Sequence, residues 1–346
     1  MQETTIEIHL GNLRANAMSF KKATDRFLYA VVKADAYGHG GARVVDALCG
    51  VADGFAVALL DEALAIKYAA GEKEILVFTP PLDEGDVVVA AKNGFTLTAT
   101  DLPSAWLIVT AAKKYRLSVT VQIKVNTGMN RYGVDEAALE QVCSILKEGG
   151  QVRVQGVYSH LYSHEKRLCE QQRIRFWKAV KTCREYFPLA RAHLASTYGA
   201  CLGKEYLFDG VRIGLGLYGY FPAGEFEQPF ALQPVMRAFA PCVGVQNCAF
   251  GGAGYGGERA DLLGKRLCLL RAGYADGFGV SGEKCGLLPP IVGQLCMDVC
   301  LTENEYKNKE RVLLFDDARA VAKSRGTSVY EVLCLMGLRA KRTYLR

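Results

Sequence analysis

Short apolar runs alternate with amphipathic stretches along the first two thirds of the chain, and this alternation restricts the fold more than any other feature. The runs cover residues 28–32, 54–58, 75–78, 95–98, 119–125, 154–159, 190–194 and 211–215. They are too short for core helices and apolar on successive residues, as strands buried on both faces are. Between them, residues 61–70, 103–114, 136–147 and 165–187 carry helical spacing. Eight β/α units over roughly 220 residues match a closed (β/α)8 barrel, an α/β fold. A doubly wound open sheet is the alternative, but the Gly-x-Gly-x-x-Gly expected after its first strand is missing.

The pattern changes after Phe221-Pro222-Ala223-Gly224. Pro229, Pro234 and Pro241 punctuate the chain, and strand-like runs follow at 243–249, 267–271, 290–295 and 311–315. A glycine-rich loop spans 251–257, and helical stretches cover 318–324 and 329–336. The chain therefore divides into a barrel over residues 1–227 and a C-terminal, mainly β domain over 228–346.

Half of the 346 residues are hydrophobic, enough for a large core, and the net charge of +6 is spread without basic runs. No Lys/Arg cluster is interleaved with aromatics, so nucleic-acid binding has no support. No apolar stretch approaches the ~20 residues needed to cross a bilayer. The N-terminus is acidic and lacks a signal-peptide core, which reads as cytoplasmic. The twelve cysteines form no CxxC pair, so neither a zinc site nor a disulfide framework is expected.

Reactive groups in such a barrel gather at the C-terminal strand ends. Lys33 ends the first run, Lys124 and Arg131 flank the loop after the fifth, and His160 ends the sixth. Residues 193–199 leave the seventh, and Arg212 and Gly214 lie on the eighth. Burying an unpaired ammonium is costly, so a lysine at the mouth of a buried strand sheds its proton readily and becomes a nucleophile or base. A Schiff-base lysine for pyridoxal 5′-phosphate (PLP) requires that property. A lysine snorkelling into water is the plain alternative, as are a loop cap for Arg131 and a satisfied core histidine for His160. The seventh and eighth loops offer Ser196-Thr197-Tyr198-Gly199 and Gly214-Leu215-Gly216. Hydroxyls and free N–H groups there suit a phosphate, with Tyr37 as a further hydroxyl, although ordinary turns use the same residues. In the second domain Tyr255 stands among glycines, and Cys296-Met297-Asp298 could present N–H groups to a carboxylate.

The contiguous string Val32-Lys33-Ala34-Asp35-Ala36-Tyr37-Gly38-His39-Gly40 resembles the PLP-lysine segment of alanine racemases. Further strings are similar to that family's motifs and follow in its order. They are Lys124-Val125-Asn126-Thr127-Gly128-Met129-Asn130-Arg131-Tyr132-Gly133, Phe208-Asp209-Gly210-Val211-Arg212-Ile213-Gly214 and Leu217-Tyr218-Gly219 in the barrel. In the β domain they are Gly254-Tyr255-Gly256, Gly273-Tyr274-Ala275-Asp276-Gly277 and Cys296-Met297-Asp298.

The resemblance implies a PLP barrel with a C-terminal β domain, assembled as a head-to-tail homodimer with shared active sites. It implies interconversion of L- and D-alanine, supplying D-amino acid for peptidoglycan. Two bases are implied, Lys33 for the D-substrate proton and Tyr255 of the partner subunit for the L-substrate proton. His160 and Arg212 would stand behind Tyr255 as a relay, and Arg212 would face the pyridine nitrogen. Because guanidinium does not give up its proton, that nitrogen would stay unprotonated. Tyr37, His160, Ser196, Thr197, Gly214 and Leu215 are implied as further cofactor contacts. Arg131, Met297, Tyr274 and Asp298 are implied as substrate contacts, Met297 and Tyr274 reaching the site from the partner subunit. Lys124 corresponds to a lysine carbamylated in many members, where it orients the arginine. No metal is implied.

Three departures bear on the substrate. Ser196-Thr197 stands where the family usually has Asn-Ser, Leu161-Tyr162-Ser163-His164 replaces small alanines, and Leu338 replaces a C-terminal tyrosine at the entrance. Serine racemases of the vancomycin-resistance type are altered at that tyrosine, which makes serine the second candidate substrate. Small non-racemising PLP barrels lack the second domain and the Tyr255 loop. A fold-related decarboxylase would need an acid where Arg212 stands.

Overall fold

The computed structural model describes residues 3–223, 226–255, 260–279, 285–336 and 338–346. Gly224, Gly256 and Gly257, named above in the linker and the glycine-rich loop, lie outside them. The chain forms two units. One contains Leu13–Ala36 and Gly41–Gln233; the other contains Tyr37–Gly40 and Pro234–Arg346 with the N-terminal residues up to Asn12.

All eight expected strands form in the first unit, and they close into a parallel barrel. They are Phe27–Val31, Gly54–Val57, Glu74–Val77, Thr96–Ala99, Val119–Lys124, Val152–Tyr158, Arg191–His193 and Gly210–Ile213. Leu28 pairs with Val211 across the closing seam. Strands such as Gly54–Val57 and Gly210–Ile213 are buried at every position, which explains why they read as unbroken apolar runs. Helices follow the strands, and their caps fix where two loops end. Asp83 accepts from the Asp86 N–H at 3.0 Å, and Asp101 and Ser104 exchange reciprocal bonds at 2.8 and 3.1 Å.

The second unit is built on one sheet. Its order is Ile291–Val292, Cys300–Thr302, Arg266–Leu270, Met236–Asn247, Thr5–His9 and Lys341–Leu345, with Arg311–Phe315 also paired to Met236–Asn247. Thr5–His9 is a strand that the apolar pattern did not announce. It runs antiparallel to the long strand, Ile6 opposite Ala238, and parallel to the last one, Ile6 opposite Arg342. Ile6 and Ile8 are fully buried. The helices Ala318–Arg325 and Val329–Leu335 form where helical spacing placed them. Among the described residues no helix is long and apolar enough to cross a membrane.

Candidate active site

The loop after the first barrel strand carries Lys33, and its backbone is strained. Ala34, Asp35, Ala36 and Tyr37 all lie in the left-handed region, at φ of 52, 51, 55 and 52°. Each non-glycine residue there costs about 1–2 kcal/mol, so the surroundings must hold the turn. Glu62 does part of this. Its Oε1 accepts from the Ala34 N–H at 2.7 Å, while Oε2 accepts from Ala58 and Leu59 at 2.8 and 3.1 Å. Asp35 Oδ1 accepts from the Gly41 N–H at 2.6 Å, and Ala36 N–H donates to the Val32 carbonyl at 2.9 Å. The chain thus turns sharply after Lys33 without a glycine until Gly38.

The neighbouring strand Gly210–Ile213 and the end of Val152–Tyr158 deliver Arg212 and His160. Arg212 is buried, and its hydrogen bonds leave from the two terminal nitrogens. Nη1 contacts His193 Nδ1 and the His193 carbonyl, both at 2.8 Å. Nη2 contacts the carbonyls of Ser159 (2.6 Å) and Leu194 (3.1 Å) and His160 Nδ1 (3.3 Å). Nε makes no hydrogen bond to the described residues. Burial lowers the Arg212 pKa to about 10, leaving it a cation at neutral pH. His160 is held well below the ordinary histidine range by burial and then by Arg212, Lys124, Arg131 and Lys33. These five residues therefore share one electrostatic neighbourhood, in which His160 is neutral. Gln172 steadies it by donating to the His160 carbonyl and to Thr127 Oγ1, both at 3.0 Å.

Lys124 ends its strand with Nζ 4.6 Å over the Tyr158 ring. Burial, then Arg212 and Arg131, push its pKa well below the lysine range. Arg131 is exposed on the loop that follows. On the next loops Thr197 is buried and its Oγ1 accepts from the Gly216 N–H at 3.2 Å. A Cβ on Gly216 would meet the Phe20 ring at 2.4 Å, so only glycine allows this close approach. Ser196 is half-buried and Leu215 buried in the same region, where Gly214 leads into the turn Leu215–Tyr218. Tyr37 belongs to the second unit, buried with its ring 6.0 Å from Tyr330.

The remaining expected residues also lie in the second unit. Tyr255 and Met297 are exposed, at 64% and 52%. Tyr274 and Met297 are stitched together: the Tyr274 N–H donates to the Cys296 carbonyl and the Ala275 N–H to the Met297 carbonyl, both at 3.1 Å. Arg339 clamps both loops, with two 3.0 Å bonds to Asp276 and a 2.6 Å bond to Asp298. Asp298 is thus engaged by Arg339. Arg339, Gln122, Tyr158 and Glu74 were not singled out from the sequence, because each resembles an ordinary strand or surface residue there.

Fold and site together define a two-domain barrel enzyme whose mouth gathers a strand-end lysine, a tethered arginine and neutral histidines. Comparison with known proteins narrows this. Residues 8–222 match the family model "Alanine racemase, N-terminal domain", and residues 235–344 match "Alanine racemase, C-terminal domain". Similar curated relatives include alanine racemases of Desulfovibrio desulfuricans and Listeria monocytogenes serotype 4a, each 31% identical. They span 98% and 99% of this chain and 97% and 98% of their own lengths. Among solved structures, alanine racemase from Clostridium difficile 630 aligns with a TM-score of 0.91 at 25% identity, over 99% of this chain and 96% of that one. The Bacillus anthracis enzyme, described with bound L-Ala-P, aligns at 0.89 and 26%, over 100% and 96%. The chain belongs to the alanine racemase family, a PLP-dependent family, and is a racemase.

Proposed function

We propose that the chain is a PLP-dependent alanine racemase, active as a homodimer, using Lys33 and Tyr255 of the partner subunit as its two bases. The observation that carries this reading is the tethering of Arg212. Its Nη atoms are bound to protein, while Nε–H is left to meet one acceptor. A pyridine nitrogen is such an acceptor, and a donor-only partner keeps it unprotonated. Lys33 on its strained turn would hold the aldehyde carbon, and Thr197, Ser196, Tyr37 and the Gly214–Gly216 backbone suit the phosphate. Bound PLP supplies the electron withdrawal that acidifies the substrate Cα–H.

The protein's own groups do the rest. Arg131 and the backbone of Met297 of the partner subunit would hold the substrate carboxylate, with Tyr274 of the partner subunit beside them. Lys33 would take a proton on one face and Tyr255 on the other. A tyrosine ordinarily holds its proton to a pH of about 10. The cations that hold His160 neutral, Arg212 foremost, would equally favour the phenolate form of that tyrosine and draw its proton away. A neutral Lys124 is the form that adds to CO2, releasing a proton and leaving a carbamate that Arg131 can grip. ¹³C-bicarbonate NMR reads that adduct, and its absence would remove this role from Lys124.

A whole-length likeness to alanine racemases supports alanine as the substrate and peptidoglycan as the destination of the D-product. The altered entrance position at Leu338 keeps serine as the second candidate substrate. It is 71% exposed and lacks the hydroxyl of the tyrosine it replaces. Chiral analysis of the PLP-loaded protein with L-alanine and with L-serine tests both readings. D-alanine should form faster, and Lys33→Ala should abolish it. Faster D-serine would reverse the substrate order, and no D-product from either would end the proposal.

A further inference from the structure

We infer that Glu74, at the N-terminal end of the barrel, is a positioning residue for Arg212, acting through Gln122 and the tautomer of His193. Its kinetic consequence rests on Arg212 facing the cofactor as proposed above; the tautomer itself does not.

The inference follows from counting protons along a buried chain of side chains. Arg212 can only donate. Its Nη1 lies 2.8 Å from His193 Nδ1, so Nδ1 must be the acceptor and carry no proton. His193 is fully buried and held neutral, by burial and then by the Arg212, Arg191 and Lys124 charges. A neutral imidazole keeps one proton, which must then sit on Nε2. That nitrogen lies 2.6 Å from Gln122 Oε1. The arrangement holds only while Gln122 turns its carbonyl, not its NH2, toward His193.

Glu74 decides which way the amide turns. An ionised carboxylate can only accept. Its Oε1 lies 2.8 Å from Gln122 Nε2, which also donates to the Tyr29 hydroxyl at 2.8 Å. The Tyr29 hydroxyl donates to Glu74 Oε2 at 2.9 Å. Gln155 and Arg191 donate to the same oxygen at 2.9 and 3.1 Å. Every donor here points at Glu74, so the Gln122 NH2 must point there too. The chain has a donor-only group at one end and an acceptor-only group at the other, and a single proton order satisfies it. Aromatic faces lock the ring plane: His193 stacks on Tyr158 at 5.1 Å with 3° between planes, and Tyr29 lies 5.0 Å away.

Glu74→Gln keeps the shape and removes the acceptor-only end. The new amide can donate to Gln122, which is then free to flip and present its NH2 to His193 Nε2. The His193 proton would move to Nδ1 and confront Arg212 Nη1, donor against donor. A carboxylate at position 122 with an amide at 74 restores an obligatory acceptor for His193.

The test is ¹⁵N-histidine NMR on the full-length protein, with and without PLP, together with steady-state kinetics on L-alanine. In the wild-type protein the resonances that His193→Gln removes should be those of a pure Nε2–H tautomer; an Nδ1–H resonance assigned to His193, as distinct from that of His39, whose Nδ1 donates to the Tyr37 carbonyl at 2.9 Å, would overturn the inference. Glu74→Gln should show an Nδ1–H population and lose about tenfold in kcat, with KM within about twofold, as the loss of an outer hydrogen-bond partner does. Glu74→Gln/Gln122→Glu should recover the Nε2–H signal and most of kcat. A pure Nε2–H tautomer in Glu74→Gln with wild-type kcat would refute the role. An altered tautomer with no racemisation by the wild-type protein would instead refute the cofactor reading and leave the positioning chain standing.

Discussion

His193 shows how a single buried side chain couples the site to the medium. Its folded pKa lies well below the ordinary value of about 6.5, so the native state holds it neutral. The unfolded chain protonates it once the pH falls under that value. Stability from this group is therefore complete above about pH 6.5 and is lost as the pH drops toward the folded pKa, at up to about 1.4 kcal/mol per pH unit. Thermal melts between pH 7.5 and about 5 read the slope. His193→Gln should melt lower at pH 7, having lost its contacts to Arg212 and Gln122, yet show a fall shallower by as much as one proton. An equal slope in the two proteins would mean that His193 titrates normally in the fold.

At the scale of elements, the turn from Ala34 to Tyr37 is the most conspicuous local conflict between sequence and backbone. Ala34 is exposed, so replacing it changes conformation and little else. Ala34→Gly relieves left-handed strain of about 1–2 kcal/mol while loosening the unfolded chain by about 0.4–1 kcal/mol. The net is a small gain, about 1–2 °C in Tm. Ala34→Val places a branched Cβ in the same region and should lower Tm instead. Differential scanning calorimetry separates the signs, and a lower Tm for the glycine variant would show that the turn carries no such strain. The same turn marks a limit of what the sequence revealed. The barrel strands were legible because parallel strands buried on both faces need apolar residues at every position. Lys33, Lys124, His160 and Arg212 were legible because a barrel puts strand ends at its mouth. Ala-Asp-Ala-Tyr carries no glycine to announce positive φ. Nor does Glu74 announce itself, since a carboxylate at a strand's first position is normally a solvated end. Thr5–His9 was hidden because its partners lie over 200 residues away in the chain. Tertiary pairing of that kind leaves no local periodicity to read.

At the scale of the molecule, the proposed two-base reading requires Tyr255 of one chain to meet Lys33 of another. Tyr255 is 64% exposed on its own chain, and the Tyr274 and Met297 loops are fastened together by Arg339 as one surface. If that surface completes the barrel of a second copy, each site is a composite of two chains, and a symmetric dimer holds two of them. Lys33→Ala and Tyr255→Phe should then be nearly inactive on L-alanine alone. Unfolding and refolding them together at equal amounts makes mixed dimers. In a mixed dimer one site carries both substitutions, and the other carries neither. Half of the dimers are mixed and half of their sites intact, so about a quarter of wild-type activity should return. Mixing without subunit exchange should return none. If Tyr255 served its own barrel, every site in every dimer would carry one lesion, and refolding together would rescue nothing. The recovered fraction therefore reads the assignment of Tyr255 directly.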